Sequence, residues 1–195
     1  METTSSEILK KILLGINASN TITSLSLETG LSRVGVYKVI KKLEKEGLLL
    51  LKKIGNGKTN AYSISLIIDN PLIARRLSLI IALDAEKQKR WIISLAELSK
   101  KADFLVLYGS ILHSPKDAND IDILIVANKS RFIEIDKSIV QIQKTTAKKI
   151  HAIYFTKNEL KYEIKKPNAA IIDAIKKGKI LYGQDDFIKF IQSLK

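Results

Sequence analysis

The residues of this chain best suited to chemistry lie between positions 104 and 126. Phe104–Tyr108 reads as a short buried strand that ends at Gly109-Ser110. After nine intervening residues comes Asp120-Ile121-Asp122, continuing as the apolar Ile123–Val126, a second strand. A strand alternates faces, so Asp120 and Asp122 point to one side while Ile121 and Ile123 point to the other. Two carboxylates on one face at a strand start can share divalent cations. Mg²⁺ favours such oxygen ligands together with substrate phosphates. Gly109 would let a phosphate approach the backbone. Ser110 is expected at the N-terminus of a following helix, where N–H groups and its own hydroxyl would face an anion. A phosphate cradle beside a metal site is what in-line transfer at phosphorus requires, because the metal neutralises the charge that develops there.

The elements that must hold this stretch are legible around it. Pro71 opens a long helical pattern that runs to about Lys101, with a break expected near Asp84. Ile73, Leu77 and Ile80, then Trp91, Leu95 and Leu98, recur at helical spacing and read as core positions. Leu72–Leu83 is also a candidate surface for pairing two copies of the chain. A third apolar run, Ile150–Phe155, reads as the next strand and carries His151.

The first seventy residues have a different plan. Ser5–Leu14 is an amphipathic helix with apolar positions 8, 9, 12, 13 and 14, stopping at Gly15. Thr21 is placed to cap a second helix whose core side is expected to be Ile22, Leu25 and Leu27, ending at Gly30. Ser32 caps a third helix, to about Glu46 and closed by Gly47. Its buried stripe is expected to be Val36, Val39, Ile40 and Leu43. The opposite face carries Arg33, Tyr37, Lys38, Lys41 and Lys45, and a basic second helix after a three-residue turn suits a DNA major groove. Leu48–Ile54 and Thr59–Leu66, joined across Gly55-Asn56-Gly57-Lys58, make a hairpin with Lys52, Lys53 and Lys58 towards its tip. Ser32, Arg33, Tyr37, Lys38, Lys41, Lys52, Lys53 and Lys58 are therefore the expected DNA contacts.

Composition narrows the class. The chain of 195 residues carries 33 Lys+Arg against 20 Asp+Glu, a formal net charge of +13. That charge is distributed as +4 over residues 1–70, +4 over 71–102 and +5 over 103–195, so it is not a tail. A basic surface attracts polyanions by releasing their counterions. Genome bias or a high-temperature proteome would also give a Lys/Ile-rich chain. With no cysteine, disulfides and thiolate metal sites are excluded. The apolar runs are short and flanked by charge, and no basic-then-apolar signal pattern opens the sequence, so a cytoplasmic protein that does not enter membranes is expected.

Two resemblances follow from these residues. The run SLSLETGLSRVGVYKVIKKLEKEGLLLLKKIGNGKTNAYSIS resembles the winged helix of prokaryotic transcription regulators over roughly residues 5–66. The run LYGSILHSPKDANDIDILIV resembles the Gly-Ser…Asp-x-Asp signature of polymerase-β-like nucleotidyltransferases, especially their minimal members. PNAAIIDAIKKGKILYGQDDFIKFI looks like that family's closing helix, strand and last helix, so this likeness covers about residues 86–195. The fold implied is α+β, with an N-terminal winged helix-turn-helix (1–70), a linker or dimerisation helix (71–85) and a C-terminal nucleotidyltransferase-like mixed β-sheet flanked by helices (86–195).

The second resemblance implies Mg²⁺ or Mn²⁺ held by Asp120 and Asp122, NTP at Gly109, Ser110 and His113, and a third carboxylate on the next strand. His151 stands at that third position. A neutral imidazole does not replace a carboxylate's charge in holding two Mg²⁺ ions, although it can act as a base. Glu134 and Asp136 are poor substitutes because their setting is helical. Minimal members also tend to carry an Arg three residues past the Ser and then a Gly; here His113 and Ser114 occupy those places. The expected function is a DNA-binding, transcription-regulating homodimer whose nucleotidyltransferase-like domain has an incomplete carboxylate set and senses a nucleotide, binds a protein partner or only supports assembly. The alternative is a Mg²⁺-dependent enzyme moving NMP from NTP to a protein, RNA or small-molecule acceptor. A third reading, implied by the resemblance to small nucleotidyltransferases, is an antitoxin-like partner in a two-gene module.

Overall fold

The computed structural model describes residues 4–16, 20–54, 61–68, 70–166 and 168–194. It is an α+β chain divided into two compact units, Met1–Ile80 and Ile81–Lys195.

The first unit contains α1 (Thr4–Leu14), α2 (Ile22–Thr29), α3 (Arg33–Lys45) and the strands β1 (Leu49–Ile54) and β2 (Ala61–Leu66). Its helix ends are set by local chemistry. Thr21 accepts the Ser24 N–H while Ser24 Oγ accepts the Thr21 N–H, a reciprocal capping box that starts α2. Gly30, at φ 70°, ends the helix in a left-handed turn. Two residues later Ser32 Oγ accepts the Gly35 N–H and opens α3. β1 and β2 pair antiparallel, from Leu49 opposite Leu66 to Ile54 opposite Ala61. The hairpin tip, with Lys58, lies outside the described residues.

Ile8, Leu9, Ile12, Leu25, Val36, Ile40, Leu43, Leu48, Leu49 and Ile64 fill the core of this unit. Two expectations are corrected. Leu27 is 81% exposed. It follows buried Leu25 by two residues, about 200° around an α-helix, so the two cannot share a face. Val39 is half-buried and forms the margin of the α3 stripe.

α4 (Pro71–Glu86) ends two residues past Asp84, so the expected break near that residue is found, at Lys87-Gln88. Asp84 itself lies in the last turn, where its carboxylate is buried and accepts hydrogen bonds from Lys179 Nζ at 2.8 and 3.0 Å. α5 (Lys89–Ser94) and a 3₁₀ turn (Ala96–Lys100) follow. Trp91, Leu95 and Leu98 are all buried.

The second unit holds β3 (Phe104–Tyr108), β4 (Asp120–Val126), α6 (Phe132–Thr145), β5 (Lys149–Phe155), α7 (Lys157–Lys165), α8 (Ala169–Lys177), β6 (Lys179–Tyr182) and α9 (Gln184–Gln192). The four strands form a mixed sheet in the order β5-β4-β3-β6, flanked by helices. β4 and β5 are parallel, whereas β3 pairs antiparallel with both β4 and β6. The two central strands are apolar almost throughout, as burial on both faces demands. Phe104 is fully buried and packs edge-to-face on Phe187 with ring centres 5.4 Å apart, and on Phe190 at 5.5 Å.

Candidate functional site

β4 enters the sheet at Asp120, and its alternation puts Asp120 and Asp122 on one face with buried Ile121 and Ile123 on the other. The parallel partner β5 places Lys149 opposite Asp120 and His151 opposite Asp122. His151 therefore joins the two carboxylates across the strand boundary. Its Nδ1 lies 3.2 Å from Asp120 Oδ2 and 3.8 Å from Asp122 Oδ1. One ligand atom from each of the three residues lies within 4.8 Å of the others. Both aspartates are half-buried and His151 is exposed. Burial raises the Asp122 carboxyl above its ordinary value and the Asp120 charge raises it further, while His151 opposes the shift. Tyr108, paired with Asp122 across β3 and β4, is raised first by burial and then by the Asp122 charge.

The structure brings Gly109 into this cluster by a different route from the expected one. Gly109 has φ +83°, and a Cβ there would sit 2.1 Å from Asp122 Oδ2. The space left by the missing side chain is thus taken by the Asp122 carboxylate. Any L side chain would also be strained at this φ. The helix expected after Ser110 is a single 3₁₀ turn, Ser110–Leu112, and Ser110 is exposed. β3 and β4 are antiparallel neighbours, so the connection must reverse direction within a short distance. Its Ser114-Pro115-Lys116-Asp117 run favours turns over a longer helix.

His113 is exposed and does not join the carboxylates. With Tyr108, Gly109, Asp173 and Lys177 it lines a surface cleft of about 230 Å³. Tyr108, Asp173 and Lys177 were not anticipated from sequence. For the last two the signal was their i,i+4 spacing on one helix face, realised as a 2.6 Å ion pair. Glu134 and Asp136 sit on α6, where Asp136 accepts a hydrogen bond from the Tyr154 hydroxyl, and neither belongs to the cluster.

In the first unit Arg33, Tyr37, Lys38, Lys41 and Lys45 are all exposed on α3, opposite the buried Val36, Ile40 and Leu43. Lys41 is held by Glu44 at 2.7 Å and lies 5.9 Å from the centre of the Tyr37 ring. The hydrogen bond to Glu44 is the main cause that lifts its ammonium above the ordinary value. Lys52 and Lys53 are exposed but successive on β1, so they point to opposite faces of the hairpin.

No family model, curated protein or solved structure matches this chain. Among the described residues no helix is long and apolar enough to cross a membrane. The cluster does not fit the paired Mg²⁺ ions that the resemblance implies. It offers two carboxylates and an imidazole where three carboxylates are implied, and Mg²⁺ prefers oxygen over imidazole nitrogen.

Proposed function

We propose that this chain is a DNA-binding regulator with a winged helix-turn-helix at its N-terminus, whose nucleotidyltransferase-like C-terminal domain does not run Mg²⁺-dependent nucleotidyl transfer. The observation that carries the reading is the α3 surface. A helix capped at Ser32 turns Val36, Ile40 and Leu43 inward and Arg33, Tyr37, Lys38, Lys41 and Lys45 outward. The first turns of such a helix supply base-edge contacts, and its lysines supply phosphate contacts. Leu72, Leu79 and Leu83, each about 60% exposed along α4 at helical spacing, support a homodimeric reading.

Arg33→Ala/Lys38→Ala/Lys41→Ala is expected to weaken binding to a labelled random-sequence duplex by about 10²-fold or more at low salt. It should also flatten the slope of log K against log salt by about 2, fewer than the three lost cations because Glu44 already partners Lys41. Fluorescence anisotropy across a salt series measures both. An unchanged slope and affinity would remove α3 as the DNA-reading element.

For the second domain, α-labelled NTPs with Mg²⁺ are expected to give no transfer to the protein itself, to bulk RNA or to cell extract. The charge of the Asp120/Asp122/His151 set supports that expectation. Transfer that disappears in Asp120→Ala/Asp122→Ala protein would instead make the chain an enzyme and give its DNA-binding domain a targeting role.

A further inference from the structure

We propose that Asp120, Asp122 and His151 form a site for a single first-row transition-type divalent cation, Zn²⁺ being the representative member, in preference to Mg²⁺. The first argument is geometry. Ligands held about 2.1 Å from one tetrahedral ion stand about 3.4 Å apart. His151 Nδ1 is already 3.2 Å from Asp120 Oδ2 and 3.8 Å from Asp122 Oδ1, and one ligand atom of each residue lies within 4.8 Å of the others, so side-chain rotation has to close the set by about 1.4 Å at most. The second is the character of the donors. One imidazole nitrogen with two carboxylate oxygens is a set in which affinity climbs through Mn²⁺, Co²⁺ and Ni²⁺, with Zn²⁺ bound well above Mg²⁺. The third is charge, because two carboxylates and a neutral imidazole balance one dication and leave two unbalanced.

A fourth observation concerns how the ligands are held. Asp120 and Asp122 sit on a central strand and His151 on its hydrogen-bonded neighbour, so regular sheet register sets their separation. Gly109 admits the Asp122 carboxylate to a place that any Cβ would block. Sites built on strands hold their ligands more tightly than sites built on loops. Three protein ligands leave a fourth position open to water or to an anionic group, the arrangement of an accessible site and not of a closed structural one. This inference does not depend on DNA binding, and the two fail separately.

Isothermal titration of tag-free full-length protein with Zn²⁺, Co²⁺ and Mg²⁺ tests it. The expected result is one Zn²⁺ per chain, bound at least 100-fold more tightly than Mg²⁺. His151→Ala should weaken Zn²⁺ by 30-fold or more while the metal-free protein keeps its fold by circular dichroism, since His151 is exposed. His151→Asp, which supplies a third carboxylate, should narrow the Zn²⁺-to-Mg²⁺ ratio at least tenfold. His113→Ala, removing the chain's other histidine, should leave Zn²⁺ binding as it was. No Zn²⁺ binding, equal affinity for Zn²⁺ and Mg²⁺, or Zn²⁺ binding indifferent to His151→Ala would each overturn the proposal.

Discussion

Gly183→Ala is expected to destabilise the Ile81–Lys195 unit by about 2–5 kcal/mol, although it adds only one methyl group. Gly183 lies between β6 and α9 at φ +73°, a conformation that costs an L residue about 1–2 kcal/mol. The new Cβ would also fall 1.9 Å from the Asp103 carbonyl oxygen and 2.7 Å from the Phe104 Cα. Those are backbone atoms that no rotamer change can move, so either β3 or the turn must shift. Such crowding costs about 1–3 kcal/mol more. Urea unfolding followed by the fluorescence of Trp91, the chain's single tryptophan and buried in this unit, reads the effect directly. An unchanged midpoint would show that the turn is looser than its contacts indicate.

Phe104→Ala should cost the same unit about 3–5 kcal/mol through a cavity beneath the sheet. Phe104 is fully buried, opens β3, and meets both Phe187 and Phe190 of α9. Removing its ring forfeits these contacts as well as the transfer free energy of the ring itself. The melting transition seen by Trp91 is expected to fall by on the order of 10–20 °C, and Phe104→Leu should recover most of the loss. A drop no larger than that of an exposed alanine substitution would mean that α9 repacks onto β3 without Phe104.

Elements bounded by strong local signals were readable before the structure. Thr21, Gly30 and Ser32 place the ends of α2 and the start of α3 because caps act within three residues of themselves. Leu27 is apolar yet exposed, because its place about 200° around α2 from Leu25 sets its face and its hydrophobicity does not. The pairing of Asp84 with Lys179 was not legible, because the partner is far away in sequence and no local pattern announces a buried ion pair. The longer helix expected at Ser110 failed on a similarly global constraint, since the antiparallel pairing of β3 and β4 limits what can join them.

The candidate metal site divides along the same line. That Asp120 and Asp122 share a face follows from strand alternation alone. That His151 Nδ1 reaches both of them depends on the register of β4 against β5, which sequence alone does not supply. The use that Asp122 makes of the space at Gly109 was likewise hidden, because glycine permits a phosphate and a carboxylate equally well.

The parallel pairing of β4 and β5 also sets when the three ligands meet during folding. A β3–β4 pair can form as a neighbouring antiparallel unit with Asp120 and Asp122 in place, but His151 arrives only after the chain has crossed over through α6 and β5 has docked. Parallel pairings of this kind close large loops and come late. A cation that needs all three side chains would therefore bind the finished unit and not its half-formed precursors. At a concentration one hundred times its dissociation constant such a ligand adds about 2.7 kcal/mol to the folded state. The last strand to join the site would then also be the one that such an ion locks down.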